Sequence, residues 1–125
     1  MFKKIALAYD GSLHSFRAAE KAAYLASRVK DSYIEIITVK DSKGTNEYIS
    51  SIAPVEEMLE NPQVNYGATF LKGAPAEELI AYINKKDFDI IIIGSRGLDN
   101  MQQFMLGSVS YKVVKNVKIP ALIVK

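Results

Sequence analysis

Three glycines stand around the end of the most hydrophobic run of the chain. Gly94 and Gly97 are separated by two residues, Gly97 and Gly107 by nine, and Ser108 and Ser110 follow directly. Gly94 closes the run Ile90 to Ile93, where a residue without a Cβ lets a ligand or another stretch of backbone come close. Gly107-Ser108-Val109-Ser110 reads as a helix start, whose first N–H groups have no partner inside the helix. Two hydroxyls and the positive end of a helix dipole at one point make an anion site. A strand-end glycine and a helix-start anion site, joined by a long loop, suit a ligand with a phosphate chain. Two common phosphate loops are excluded: no Gly-Lys-Ser/Thr follows the glycines, and their intervals are not those of G-x-G-x-x-G.

The other chemistry-bearing residues are few. Asp10-Gly11-Ser12 follows the first apolar run, and Asp10 is open to two readings, a turn or cap residue or a residue beside a ligand. Ser12 suits the N-cap of the next helix. Arg96 could clamp a phosphate or lie solvated in its loop, and Asp99 could meet Mg²⁺ through phosphates or lie solvated in the same way. His14, the one histidine, reads as a surface residue of the first helix near the pocket edge. No pair or triad among these makes a catalytic constellation, and no metal-ligand set is evident.

The elements that must position these residues alternate. Lys4 to Tyr9 is a short buried strand. Leu13 to Val29 is a helix with Phe16, Ala19, Ala23 and Ala26 at helical spacing. Tyr33 to Val39 is a β-branched second strand. Glu47 to Glu60 suits a helix except for Pro54 in its middle, which breaks or kinks it. Val64 to Leu71 is a third strand, weakened by Gly67. Pro75 opens a helix whose Glu77, Glu78, Lys85 and Lys86 complement its dipole. Phe88 to Ile93, with no polar alternation after Asp89, reads as a parallel strand covered on both faces. Ser108 to Val117 is a last helix and Ile119 to Val124 a fifth strand. The order β-α-β-α-β-α-β-α-β predicts an α/β fold, a parallel sheet with helices on both faces. Ligands in such sheets bind beyond the strand C-termini, where Asp10, the segment from Val39 to Ser42, and Gly94 should share one edge.

At 125 residues the chain reads as one domain, 1–125, with no need of a disulfide or metal staple. It has no cysteine, which excludes thiolate metal sites and redox motifs and fits a reducing cytoplasm. Sixteen basic and 14 acidic residues leave a net charge of +2, and no basic block points to nucleic acid. No run approaches the length of a signal-peptide core or a membrane span.

The pattern Gly94-x2-Gly97-x9-Gly107-Ser108 resembles the nucleotide-binding motif of universal stress proteins. "KKIALAYDGS" is similar to that family's opening strand and aspartate, "KGAPAEELI" to its third-helix entry and "IPALIVK" to its closing strand. The resemblance covers almost the whole chain. It implies an open five-stranded parallel sheet of order 3-2-1-4-5, related to the adenine nucleotide alpha hydrolases, ATP binding and a homodimer. Carried over, Gly94 and Gly97 lie by the ribose and α-phosphate, and Gly107, Ser108, Val109 and Ser110 hold the phosphate chain. Asp10 sits beside the nucleotide, Ala8 and Val39 near the adenine, and Ile93 at another nucleotide contact. Mg²⁺ or Mn²⁺ would accompany the phosphates. The strand Ile119 to Val124 is either covered or a dimer edge. The chain departs from the family between Lys40 and Val64, a stretch shorter than usual that often helps cover the nucleotide. Three functions follow as alternatives: an ATP-dependent regulatory or stress-response module without efficient turnover, a slow nucleotide hydrolase or transferase, or a dimer that ignores nucleotide.

Overall fold

The computed structural model describes residues 2–40, 48–60, 64–96 and 107–125. Five strands and four helices alternate: β1 Lys4–Ala8, α1 Leu13–Ser27, β2 Tyr33–Lys40, α2 Tyr48–Glu60, β3 Asn65–Lys72, α3 Pro75–Lys85, β4 Ile90–Gly94, α4 Ser108–Asn116 and β5 Ala121–Val124. All pairings are parallel, as the alternation predicted, and the order is β3-β2-β1-β4-β5, as the resemblance implied.

Each face of the sheet buries its own core. Ile5, Leu7, Ile34, Ile36 and Ile92 pack with α1 and α2, whereas Ala6, Ala8, Ile37, Ile91 and Ile93 pack with α3 and α4. Both neighbouring residues of a central strand are thus buried, so β4 is apolar throughout and carries no polar alternation. A fully buried isoleucine such as Ile91 or Ile92 contributes about 2 kcal/mol through area removed from water. On the α3 side the half-buried Glu35 carboxylate accepts hydrogen bonds from Thr69 Oγ1 at 2.6 Å and from the Tyr82 hydroxyl. Burial and the Glu35 bond push the Tyr82 phenol above its ordinary pKa.

The helix α1 buries Ser15, Ala18, Ala19, Ala22 and Ala26. That stripe is rotated from the expected one, because the small residues meet the sheet while Phe16 and Ala23 sit at its margin, partly buried. It ends at Ser27, two residues before the expected Val29, where the Arg28 N–H caps the Leu25 and Ala26 carbonyls. Pro54 does not break α2. It lies exposed inside the helix, on the side away from the buried Ile52 and Val55. The strand expected from Phe88 starts at Ile90, and just before it the Asp89 side chain accepts the N–H groups of Lys3 and Lys4. The one expected from Ile119 starts at Ala121, directly after Pro120, which has no N–H to donate.

Candidate functional site

The C-termini of β1, β2 and β4 lie at one edge of the sheet because all three strands run parallel and β1 lies between the other two. Beyond β1 the chain turns at Gly11, whose φ of +86° suits glycine. Asp10 is exposed there, and its Oδ1 accepts the Ser12 N–H at 2.9 Å. Ser12 in turn caps α1, its Oγ accepting the Ser15 N–H at 3.2 Å. One carboxylate oxygen of Asp10 therefore serves the turn.

At the end of β4 the first turn of α1 crosses Gly94. A Cβ on Gly94 would stand 2.8 Å from the carbonyl carbon and Cβ of His14 and 2.9 Å from its backbone oxygen. The close approach anticipated for this glycine is thus made by backbone of the same chain. Two hydrogen bonds fasten the start of α4 to the same place. The Ser110 Oγ, buried, donates to the Gly94 carbonyl at 2.7 Å, and the Gly107 N–H donates to the Ser95 carbonyl at 2.8 Å. Gly107 is the N-cap of α4 and supplies no side-chain cap to the N–H groups behind it, whereas Ser12 caps α1. Ser108 is exposed and Val109 half-buried at that start. Of the two hydroxyls read from the sequence, Ser108 faces solvent and Ser110 spends its proton within the fold.

The apolar positions converge as well. Ala8, Val39 and Ile93, from β1, β2 and β4, belong to the α3/α4 face of the sheet, the face on which α4 lies. Ala8 and Ile93 are buried, and Val39 keeps some exposed surface. The structure therefore brings together Ala8, Val39, Ile93 and Gly94 with Asp10, Gly107, Ser108, Val109 and Ser110. Gly97, Asp99 and Ser42 lie outside the described residues.

Sequence reasoning had not paired His14 with Arg96. His14 Nε2 lies 3.3 Å from Arg96 Nη2, and both residues are half-buried. Burial, then the positive charges of Arg96 and Arg17, hold the imidazole below its ordinary pKa, against an opposing pull from Asp10. The signal was present in the topology: β1 pairs β4, so the residues following each strand are neighbours. Nearby, burial and the Asp10 charge raise the Tyr9 phenol.

The fold has counterparts in other proteins. The structure of the protein MJ0577 from Methanocaldococcus jannaschii superposes with a TM-score of 0.90 at 26% identity, over 100% of this chain and 96% of that one. A universal stress protein family protein from Arabidopsis thaliana, At3g01520, solved with AMP bound, shares the fold with a TM-score of 0.77 at 20% identity, covering 98% and 91% of the two chains. In sequence the chain is 32% identical over 142 residues to universal stress protein MJ0531 of M. jannaschii, covering 100% of this chain and 83% of the relative. The model of the Universal stress protein family matches residues 1–125. With the fold, the relatives and a match along its whole length in agreement, the chain belongs to the universal stress protein family.

Proposed function

We propose that the chain binds an adenine nucleotide, and ATP in particular, at the edge formed by β1, β4 and α4. The observation that carries this reading is the start of α4. Among the described residues its first N–H groups have no side-chain cap, and they are fixed beside Gly94 by the Gly107–Ser95 and Ser110–Gly94 hydrogen bonds. Such N–H groups, with the helix dipole behind them, favour phosphate. Ser108, Val109 and the N–H side of Ser110 would meet the phosphate chain, and Gly94 with Gly97 the ribose. Ala8, Val39 and Ile93 would wall the base, beside the exposed Asp10. The AMP carried by the Arabidopsis protein supports a nucleotide in this fold.

Mg²⁺ or Mn²⁺ would come with the phosphates. Among the described residues no group of three or more His, Cys, Asp or Glu side chains is placed to hold a metal by itself. The module would act through occupancy, as a regulatory element of a stress response in the cytoplasm. Among the described residues no helix is long and apolar enough to cross a membrane. It would pair with a second copy through β5, which stands at the sheet edge with Leu122 exposed.

The test is to denature freshly purified protein and identify the released base by chromatography, then titrate the emptied protein with MgATP. Adenine nucleotide in the release and saturable heat on titration are the expected results. No released nucleotide together with no heat would overturn the reading in favour of a dimer that ignores nucleotide.

A further inference from the structure

The contact between His14 and Arg96 constrains more than position. A guanidinium has only donors, so Arg96 Nη2–H donates and His14 Nε2 accepts. That bond requires a neutral imidazole with its proton on Nδ1. Arg96 follows Ser95, whose carbonyl accepts the Gly107 N–H, so the guanidinium is rooted beside the uncapped start of α4. His14 is rooted at the same point from the other side, with its backbone against Gly94.

We propose that His14 and Arg96 form a proton-coupled latch on the phosphate chain, in which the arriving anion draws the guanidinium off His14 and His14 then takes up a proton. The proposal rests on the nucleotide reading above. The proton comes from the buffer and adds to Nε2, the lone pair that had accepted from Arg96, and no other bond is made or broken. Before binding, the imidazole is held neutral by burial and by Arg96 and Arg17. A phosphate beside it reverses the local field, and an opposite charge within a few ångströms favours the charged form. Among the described residues the charged groups facing His14 are Arg17 on its own helix, Asp10 in the turn after β1 and Arg96 after β4. Arg17 also lies within 3.5 Å of the Lys125 carbonyl beyond β5. Asp10 is the one acid of the set and already favours protonation, so the latch is poised to respond to added negative charge.

The single histidine makes the test direct, because one imidazole signal in the NMR spectrum of the whole protein reports on this site alone. In the free protein His14 should titrate below 6.5, and R96Q should move it upward. With saturating MgATP the wild-type value should rise by about one unit, which makes ATP binding about tenfold tighter on the acid side of the transition than on the alkaline side. The H14Q variant should still bind MgATP but lose this extra pH dependence, and its profile removes any contribution from titration of the nucleotide itself. MgATP binding with an unmoved His14 titration, and with equal pH profiles for wild type and H14Q, would overturn the latch and leave the nucleotide reading standing. No MgATP binding at any pH would overturn both.

Discussion

Asp89 stands just before β4 and accepts the backbone N–H groups of Lys3 and Lys4 at 2.9 and 3.0 Å. The Lys4 bond, followed by that of Lys3, holds its carboxyl below the ordinary 3.8, against some desolvation. A carboxylate with a depressed folded pKa contributes stability that is present above the unfolded value and is lost as pH falls through the folded one. Denaturant titrations in the acid range should therefore show a shallower loss for D89N than for wild type, the two curves converging below the folded pKa. Equal slopes would exclude this role. Thr38 makes a second prediction, because its hydroxyl is buried with no hydrogen-bond partner among the described residues. T38V replaces an unsatisfied group by an apolar isostere and should raise the unfolding free energy by about 1 kcal/mol, read from urea midpoints. At this scale the sequence was partly legible. Asp10 was open to a turn role and a ligand role, and the Ser12 bond establishes the first without consuming the whole carboxylate. The His14–Arg96 bond was not legible, since the two residues are 82 positions apart and only the β1–β4 pairing makes them neighbours.

At the scale of elements, the site depends on how three of them meet at Gly94. A methyl group there would press on the His14 backbone, which cannot move without shifting the start of α1. G94A should cost about 1–3 kcal/mol in thermal or urea unfolding, as an overpacked junction does. A smaller loss, with nucleotide binding abolished, would mean instead that a ligand fills that space. S110A removes the bond to the Gly94 carbonyl and should cost about 1–2 kcal/mol, while freeing the first turn of α4 to shift. The elements themselves were readable because each announces its period or its stops: the alanine stripe of α1, Pro75 at the head of α3, the unbroken isoleucines of β4. Their ends were less so. Pro54 reads locally as a breaker, yet its placement on the solvent side lets α2 run through it. The start of β4 follows Asp89, whose partners Lys3 and Lys4 lie far along the chain, and the start of β5 follows Pro120, which has no N–H to donate.

For the whole molecule, an all-parallel sheet with two buried faces collects the strand C-termini at one edge and leaves β3 and β5 as its borders. The alternating order made that architecture readable, and the glycine spacing placed the candidate site upon it. What the sequence left open was whether the last strand, Ile119 to Val124, is covered or a dimer edge. If β5 is the dimer edge, light scattering should report a dimer for wild type and a monomer for L122R, with unchanged helix and strand content; a dimer in both would exclude that edge. The central claim is that the uncapped start of α4 holds phosphate, and a charge at the exposed Ser108 tests it most directly. A carboxylate at that position favours the helix by about 0.3–1 kcal/mol through the dipole, so S108D should melt at or above the wild-type temperature. The same charge opposes an anion. Calorimetric titration with MgATP should therefore find S108D binding at least about tenfold more weakly than wild type, a loss of roughly 1.4 kcal/mol. Equal affinities in two well-folded proteins, or no binding by either, would contradict the account.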